Sequence, residues 1–218
     1  GAIYLNNNGL VIPNCYFNSN EAVNGGAGYI ENSIDLKFRQ CQFVENSSDF
    51  GGGIYIKESG NTNYPITLQN CIFWKQVAYN GGAINNEKSN LSIIHSTIVE
   101  NIAEGQSSSQ GGGIYSYMMS QNISIQNSII FGNIAENKSQ ISIYNGTITS
   151  ISFSDIENVV SLPENIGNNL EVEYNIDDDP LFINSNEGDF HLQEGSPCIG
   201  TGQAGANMGA YGGAYGNW

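Results

Sequence analysis

The sequence predicts an all-β fold: a right-handed, single-stranded parallel β-helix of about six to seven rungs, closed by an irregular C-terminal cap. Three observations predict it. First, a glycine-led segment recurs at Gly1-Ala2-Ile3-Tyr4, Gly26-Ala27-Gly28-Tyr29, Gly52-Gly53-Ile54-Tyr55, Gly82-Ala83-Ile84-Asn85 and Gly112-Gly113-Ile114-Tyr115, at intervals of 25 to 30 residues, with a degenerate copy at Ile141-Ser142-Ile143-Tyr144. Second, a landmark recurs in mid-unit at Asn14-Cys15-Tyr16-Phe17, Gln40-Cys41-Gln42-Phe43 and Asn70-Cys71-Ile72-Phe73, with weaker copies at His95, Asn127 and Asp155. Third, apolar residues alternate ahead of each landmark (Leu10/Ile12, Leu36/Phe38, Ile66/Leu68, Leu91/Ile93, Ile123/Ile125, Ile151/Phe153), and period two means strand rather than helix.

Each unit therefore reads as about three short strands, too few to bury an apolar face alone but able to do so when stacked on neighbours. Equivalent side chains then form rows spaced about 4.8 Å apart along the axis. One inward row is expected at Ile3, Ile54, Ile84 and Ile114, and another at Phe17, Phe43, Phe73, Ile98 and Ile130. The Asn14, Gln40, Asn70, His95, Asn127, Asp155 row falls where the chain must bend, a left-handed position that Asn tolerates, and stacked amides there can bond along the axis. Paired glycines suit another tight corner. They are not a phosphate loop, because neither a Lys-Ser or Lys-Thr nor a helix follows. A further landmark follows at Asn20, Asn46, Gln76, Asn101 and Asn133, and insertions at Glu58 to Tyr64 and Glu104 to Gln110 are expected to bulge beside any binding face.

Residues 1–158 hold the rungs, and residues 159–218 the last rung and capping segment, as one continuous domain. The chain opens within a repeat, which leaves room for a leader and earlier rungs. An open first edge would also allow head-to-tail self-association. Cys15, Cys41 and Cys71 share one row, with Ser96 and Ser128 in line, and are expected as free, buried, small side chains because parallel inward side chains point the wrong way to bridge.

With 21 acidic residues against 6 basic ones, the net charge is −15. That excludes a nucleic-acid partner, whose phosphates need a basic face, and no apolar run is long enough for a membrane helix. After Asn158 the repeat gives way to Asp177-Asp178-Asp179-Pro180-Leu181-Phe182, Gly188-Asp189-Phe190-His191-Leu192, Gly195-Ser196-Pro197-Cys198-Ile199-Gly200 and Met208-Gly209-Ala210-Tyr211-Gly212-Gly213. Together with the glycine-led and Asn-Cys repeats, these segments resemble the C-terminal part of secreted bacterial right-handed β-helix repeat proteins of the Bacteroidetes type. The resemblance spans nearly the whole chain. It implies a secreted, cell-surface location and a terminal cap, and says little about activity.

Function is expected to be that of a non-catalytic extracellular module for adhesion, surface display or fibre assembly. The alternative is a polysaccharide-binding or polysaccharide-degrading β-helix. Were it a lyase, Lys37 and Arg39, alternating on one outer strand face, are the cations to neutralise a uronate. Were it a glycosidase, Asp155 and Glu157 are the paired carboxylates. Tyr4, Tyr29, Tyr55 and Tyr115 form an outward row readable as a glycan track or as rung-to-rung stacking. Asp177, Asp178 and Asp179 are candidate calcium ligands, with a solvated turn as the other reading.

Overall fold

The computed structural model describes residues 1–105, 108–118, 122–145, 148–158 and 171–218. It is a parallel β-solenoid of about six turns. Its strands collect into four parallel sheets. Sheet A stacks Ile3–Leu5, Gly28–Glu31, Ile54–Lys57, Ile84–Glu87, Ile114–Tyr117 and Ile141–Tyr144. Sheet B begins with Val11–Pro13, Lys37–Arg39 and Ile66–Gln69 and continues to Glu171–Glu173. Sheet C runs from Tyr16–Asn18 to Asp155–Ile156. Sheet D holds Glu21–Asn24, Ser47–Phe50, Val77–Asn80 and Ile102–Ala103. The expected three strands per unit thus become four in the first four rungs, because the Asn20 landmark opens a strand of its own.

The pairing register reproduces both inward rows. Ile54 pairs with Ile84 and Ile84 with Ile114, all without exposed surface. Phe17, Phe43 and Phe73 stack with centroids 4.9 and 4.4 Å apart and planes within 11° and 4°. Such pairs add roughly 0.5–1.5 kcal/mol each beyond their burial. The structure differs from the expected Ile151/Phe153 pair. Ile148 and Ile151 pair with Ile123 and Ile125 across a register shift, and Phe153 takes the next bend, stacked on Tyr174 at 4.8 Å.

The four corners obey one rule: a left-handed residue is followed by a small or polar one that meets its equivalents above and below. Between sheets A and B, Asn32, Glu58 and Lys88 have φ of 50°, 47° and 48°, and Ser33, Ser59 and Ser89 follow. The amide of Ser33 donates to Ser59 Oγ (3.1 Å) and that of Ser59 to Ser89 Oγ (2.9 Å). Between B and C, Asn14, Gln40, Asn70, His95 and Asn127 are left-handed as expected, and the Cys15, Cys41, Cys71, Ser96, Ser128, Ser154 row follows. All four cysteines are free. Asp155 does not belong to the Asn row: it pairs with Ile129, two positions beyond the bend, where Phe153 stands instead. Between D and A the pair is glycine on glycine. A Cβ on Gly26 would sit 2.2 Å from the Gly52 carbonyl oxygen, so no larger residue fits.

Between sheets C and D lies the continuous amide ladder, in the Asn20 row; the Asn14 row carries an axial bond between Asn127 Nδ2 and His95 Nε2 (3.1 Å). Asn20 Nδ2 donates to Asn46 Oδ1 (2.8 Å), and Asn46 Nδ2 to Gln76 Oε1 (2.9 Å). The Gln76 backbone N–H donates to Asn101 Oδ1 (2.9 Å), Asn101 Nδ2 to Asn133 Oδ1 (2.8 Å), and Asn133 Nδ2 to Gln140 Oε1 (2.7 Å). The same side-chain amides reach carbonyls freed by the bend, such as those of Phe17, Phe73 and Ile98. Buried polar groups stay buried only when bonded, and this row satisfies them in series.

The sequence predicts a last rung and a cap over the open end within residues 159–218, of which 159–170 lie outside the described residues. The structure lays the described part of this segment along the side wall. From the sixth rung back to the second, Cys198 meets Asp155, the Gly209 amide donates to the Asn127 carbonyl, and the Ala210 amide donates to Thr97 Oγ1 (2.9 Å). Asn70 Nδ2 then holds the carbonyls of Ala210 and Gly212, both at 2.8 Å, and Gln40 Nε2 that of Tyr215 (3.2 Å). The Asn14-type corner row is therefore the docking strip of a strap. Phe190, from the antiparallel hairpin Phe182–Asn184 and Asp189–Leu192, packs edge-on against Trp74 and Phe182 and joins Ile72 and Val99 in a second core. The physical reason is apolar: sheet C carries Ile72, Val99 and Ile129 on its outer face, and the strap buries them.

The glycines of the Met208–Gly213 motif follow from this path. Gly213 has φ of 64°, and a Cβ there would lie 2.4 Å from His95 Nε2. Gly213→Ala is expected to destabilise the protein by about 1–2 kcal/mol and to raise the solvent exposure of Trp218. Thermal unfolding followed by tryptophan emission measures both.

Candidate functional site

The outer face of sheet A carries two in-register rows of aromatic and charged side chains. Tyr4, Tyr29 and Tyr55 are in register, Asn85 interrupts the row, and Tyr115 resumes it. Tyr29 and Tyr55 stack at 5.2 Å with planes 10° apart. Ring faces are thus turned to one another along the axis, and the surface receives ring edges and phenolic oxygens. Tyr4, tilted by 54° to Tyr29, is the exposed member, whereas Tyr55 is buried.

Two residues further along each strand lies a second outward row of Glu31, Lys57, Glu87, Tyr117 and Tyr144. It bonds to the first. Tyr4 and Tyr29 both donate to Glu31, each at 3.0 Å, and Lys57 lies 3.6 Å from the same carboxylate. Tyr55 and Tyr117 both donate to Glu87, and their phenols meet at 3.0 Å. Burial first, then these carboxylates, pushes the Tyr29 and Tyr55 phenols well up, and burial with the Glu87 bond pushes Tyr117 up to about 12, so all three remain neutral donors. Hydrogen bonds from Tyr29 and Tyr4 hold Glu31 below its ordinary value.

This face ends at a cleft of about 490 Å³, beyond the corner residues Glu58, Lys88 and Met118. Gly60, Asn61 and Thr62 of the Glu58–Tyr64 insertion form one wall, and Asn90 also lines it. The insertion projects as its extra length requires. Residues 106–107 of the other insertion lie outside the described residues; of the rest, Ser108 meets the Tyr79 hydroxyl at 3.2 Å.

The sequence-selected residues are placed apart from this cleft. Lys37 pairs with Asp35 at 2.9 Å. Arg39 donates to Gln69 Oε1 (3.2 Å) and lies 4.4 Å from the Tyr215 ring centre, under the strap. Lys37 and Arg39 stand on sheet B, whose outer rows continue as Thr67, Ser92 and Ser124 and as Gln69, Ile94 and Gln126. Glu157 caps the amide ladder, accepting from Gln140 Nε2 and from the Gly132 amide (3.0 Å). Asp155 has no exposed surface; it accepts from Cys198 Sγ (3.2 Å) and from the Asp178 amide (3.3 Å). Burial, reinforced by Asp178 and Asp177, pushes its carboxyl up to about 6, and burial with Asp155 pushes the Cys198 thiol well up. Asp177, Asp178 and Asp179 are exposed, and Asp179 Oδ1 closes a turn by accepting from the Leu181 amide (2.9 Å). Among the described residues no three His, Cys, Asp or Glu side chains converge as a metal site.

Lys88, Asn90 and Met118 are not among the site residues the sequence predicts. Lys88 and Asn90 belong to the corner of the fourth rung and Met118 to that of the fifth, so only the insertion beside them, in the third rung, signals the place.

The fold defines the class: an all-β parallel solenoid with its C-terminal segment strapped along one wall. Comparison of the chain with protein-family models, curated proteins and solved structures finds no significant match. Among the described residues, no helix is long and apolar enough to cross a membrane.

Proposed function

We propose that this chain is a non-catalytic extracellular module, a scaffold for surface display and adhesion whose polar residues serve mainly to hold the stack together. The observation that carries the reading is the commitment of the candidate catalytic groups: Lys37 to Asp35, Arg39 to Gln69 and Tyr215, Glu157 to the amide ladder, and Asp155 to Cys198 beneath the strap. A general acid or base needs a path to the atom it protonates, and Asp155 has no exposed surface. Sheet B, which bears the two cations, offers outer rows of hydroxyls, amides and Ile94 rather than a groove lined by opposed charges. The net charge of −15 further disfavours an anionic polysaccharide substrate.

The test is incubation of the protein with polygalacturonate, alginate and neutral plant and bacterial polysaccharides, following reducing ends and unsaturated uronide absorbance. No release above the blank is expected. Turnover abolished by Asp155→Asn, or by Lys37→Ala with Arg39→Ala, would overturn the reading.

A further inference from the structure

We infer that the cleft between the Glu58–Tyr64 insertion and the sheet A corner is a binding site for a neutral glycan. This deepens the non-catalytic reading and rests on it, because it supplies the recognition surface such a module needs.

The insertion is a fixed wall. Its Gly60 amide donates to the Ser33 carbonyl (2.7 Å) of the rung on one side, and its Gly60 carbonyl accepts from Asn90 Nδ2 (3.3 Å) of the rung on the other. Asn61 Oδ1 closes the loop on itself by accepting from the amides of Asn63 (3.0 Å) and Tyr64 (2.9 Å). A cleft shaped before binding loses little entropy when filled.

The lining selects the ligand class. Glu58 and Lys88 neutralise each other at 3.2 Å. What remains in the lining is the Nδ2 of Asn61, the Thr62 hydroxyl and the thioether of Met118, which is 50% exposed. Asn90 is 4% exposed, and its Oδ1, an acceptor beneath the cleft lining, receives no hydrogen bond from the protein. Tyr64, 51% exposed, stands at the end of the same loop, outside the stacked tyrosine row, with an amphipathic ring available to a sugar. Hydrogen-bonding groups of both kinds beside small apolar surfaces match a pyranose, which offers hydroxyls at its rim and C–H groups on its faces. An anionic sugar would meet a protein of net charge −15 with Lys88 already paired. The volume, about 490 Å³, lies within the range of ordinary ligand pockets.

The experiment is amide chemical-shift mapping on the ¹⁵N-labelled chain, titrated with cellohexaose, mannohexaose, xylohexaose and chitohexaose, with oligogalacturonate as the anionic control. At least one neutral sugar is expected to shift the backbone amides of Gly60, Asn61 and Thr62 and the Asn90 side-chain amide. Thr62→Trp, on the exposed loop, fills the cleft without entering the core, and is expected to weaken that binding about tenfold or more with an unchanged melting temperature. Asn90→Ala should weaken it as well, and its melting curve shows whether the fold persists. The site is overturned if no neutral sugar shifts these resonances, if the shifts fall on the Tyr4–Tyr29–Tyr55 row instead, or if Thr62→Trp binds as the wild type does. Reducing ends measured on the same samples separate the two readings. Cleavage would overturn the non-catalytic reading and leave the site standing, whereas a silent cleft would overturn the site and leave the scaffold.

Discussion

Replacing Asn101 by alanine is expected to destabilise the solenoid by about 4 kcal/mol, the largest effect of any single polar substitution considered. Asn101 is fully buried in the middle of the amide ladder. Its Oδ1 accepts from the Gln76 amide, and its Nδ2 donates to Asn133 Oδ1 and to the Phe73 carbonyl (3.0 Å). Alanine removes all three bonds and leaves the Gln76 N–H and the Phe73 C=O buried without these partners. Each orphaned group costs about 1–3 kcal/mol, and the vacated volume adds to that. Asn20→Ala, at the half-buried end of the same row, removes a donor to Asn46 where water can replace it, and should cost under about 1 kcal/mol. Urea unfolding of the two variants measures the gradient. Equal losses would show that the ladder is not a buried series.

The second large effect is a dependence on pH. Asp155 is buried beneath the strap with a thiol and a backbone amide as hydrogen-bond donors, with Asp178 and Asp177 acting on it as like charges and, among the described residues, no cation paired to it. Its carboxyl is raised from an ordinary value of 3.8 to about 6. A raised carboxyl is protonated more readily in the folded state. Its contribution is therefore fully present below about pH 4 and is lost as the pH rises through about 6. The loss amounts to about 3 kcal/mol at neutral pH. Asp155→Asn, which cannot ionise, should accordingly raise the melting temperature by several degrees at neutral pH and leave it unchanged or lower at about pH 4. Thermal scans of both proteins across this range decide it. Identical pH profiles would mean that Asp155 is not the titrating group.

Much of the rung was legible because a solenoid repeats its physics. Ile54, Ile84 and Ile114 recur at the same place because each must fill the same slot. Cys15, Cys41 and Cys71 share a row with Ser96 and Ser128 because one corner admits only small side chains. The fourth sheet was less legible. Ser47–Phe50 and Val77–Asn80 are short and half-exposed, so alternation is weak there. The continuous amide ladder runs in the Asn20 row, and the Asn14 row bonds along the axis between Asn127 and His95, for a related reason. Both rows stand beside a bend, but Asn14-type residues are themselves left-handed and direct their amides to the strap, whereas Asn20-type residues follow the left-handed residue and bond inside.

The sequence by itself determined the local repeat: strand, bend, strand, the inward Ile and Phe rows, the glycine corner and the free cysteines. These depend on neighbours one rung away, and one rung away is the next copy of the repeat. Only the tertiary structure decided the course of residues 177–218, the burial of Asp155 and the assembly of the cleft. Those depend on contacts that no period predicts, such as Asn70 with Gly212 across 142 residues and Asp155 with Cys198 across 43. The apolar outer face of sheet C exposes its demand for cover only once the rungs are stacked, and the chain that meets it lies far along the sequence.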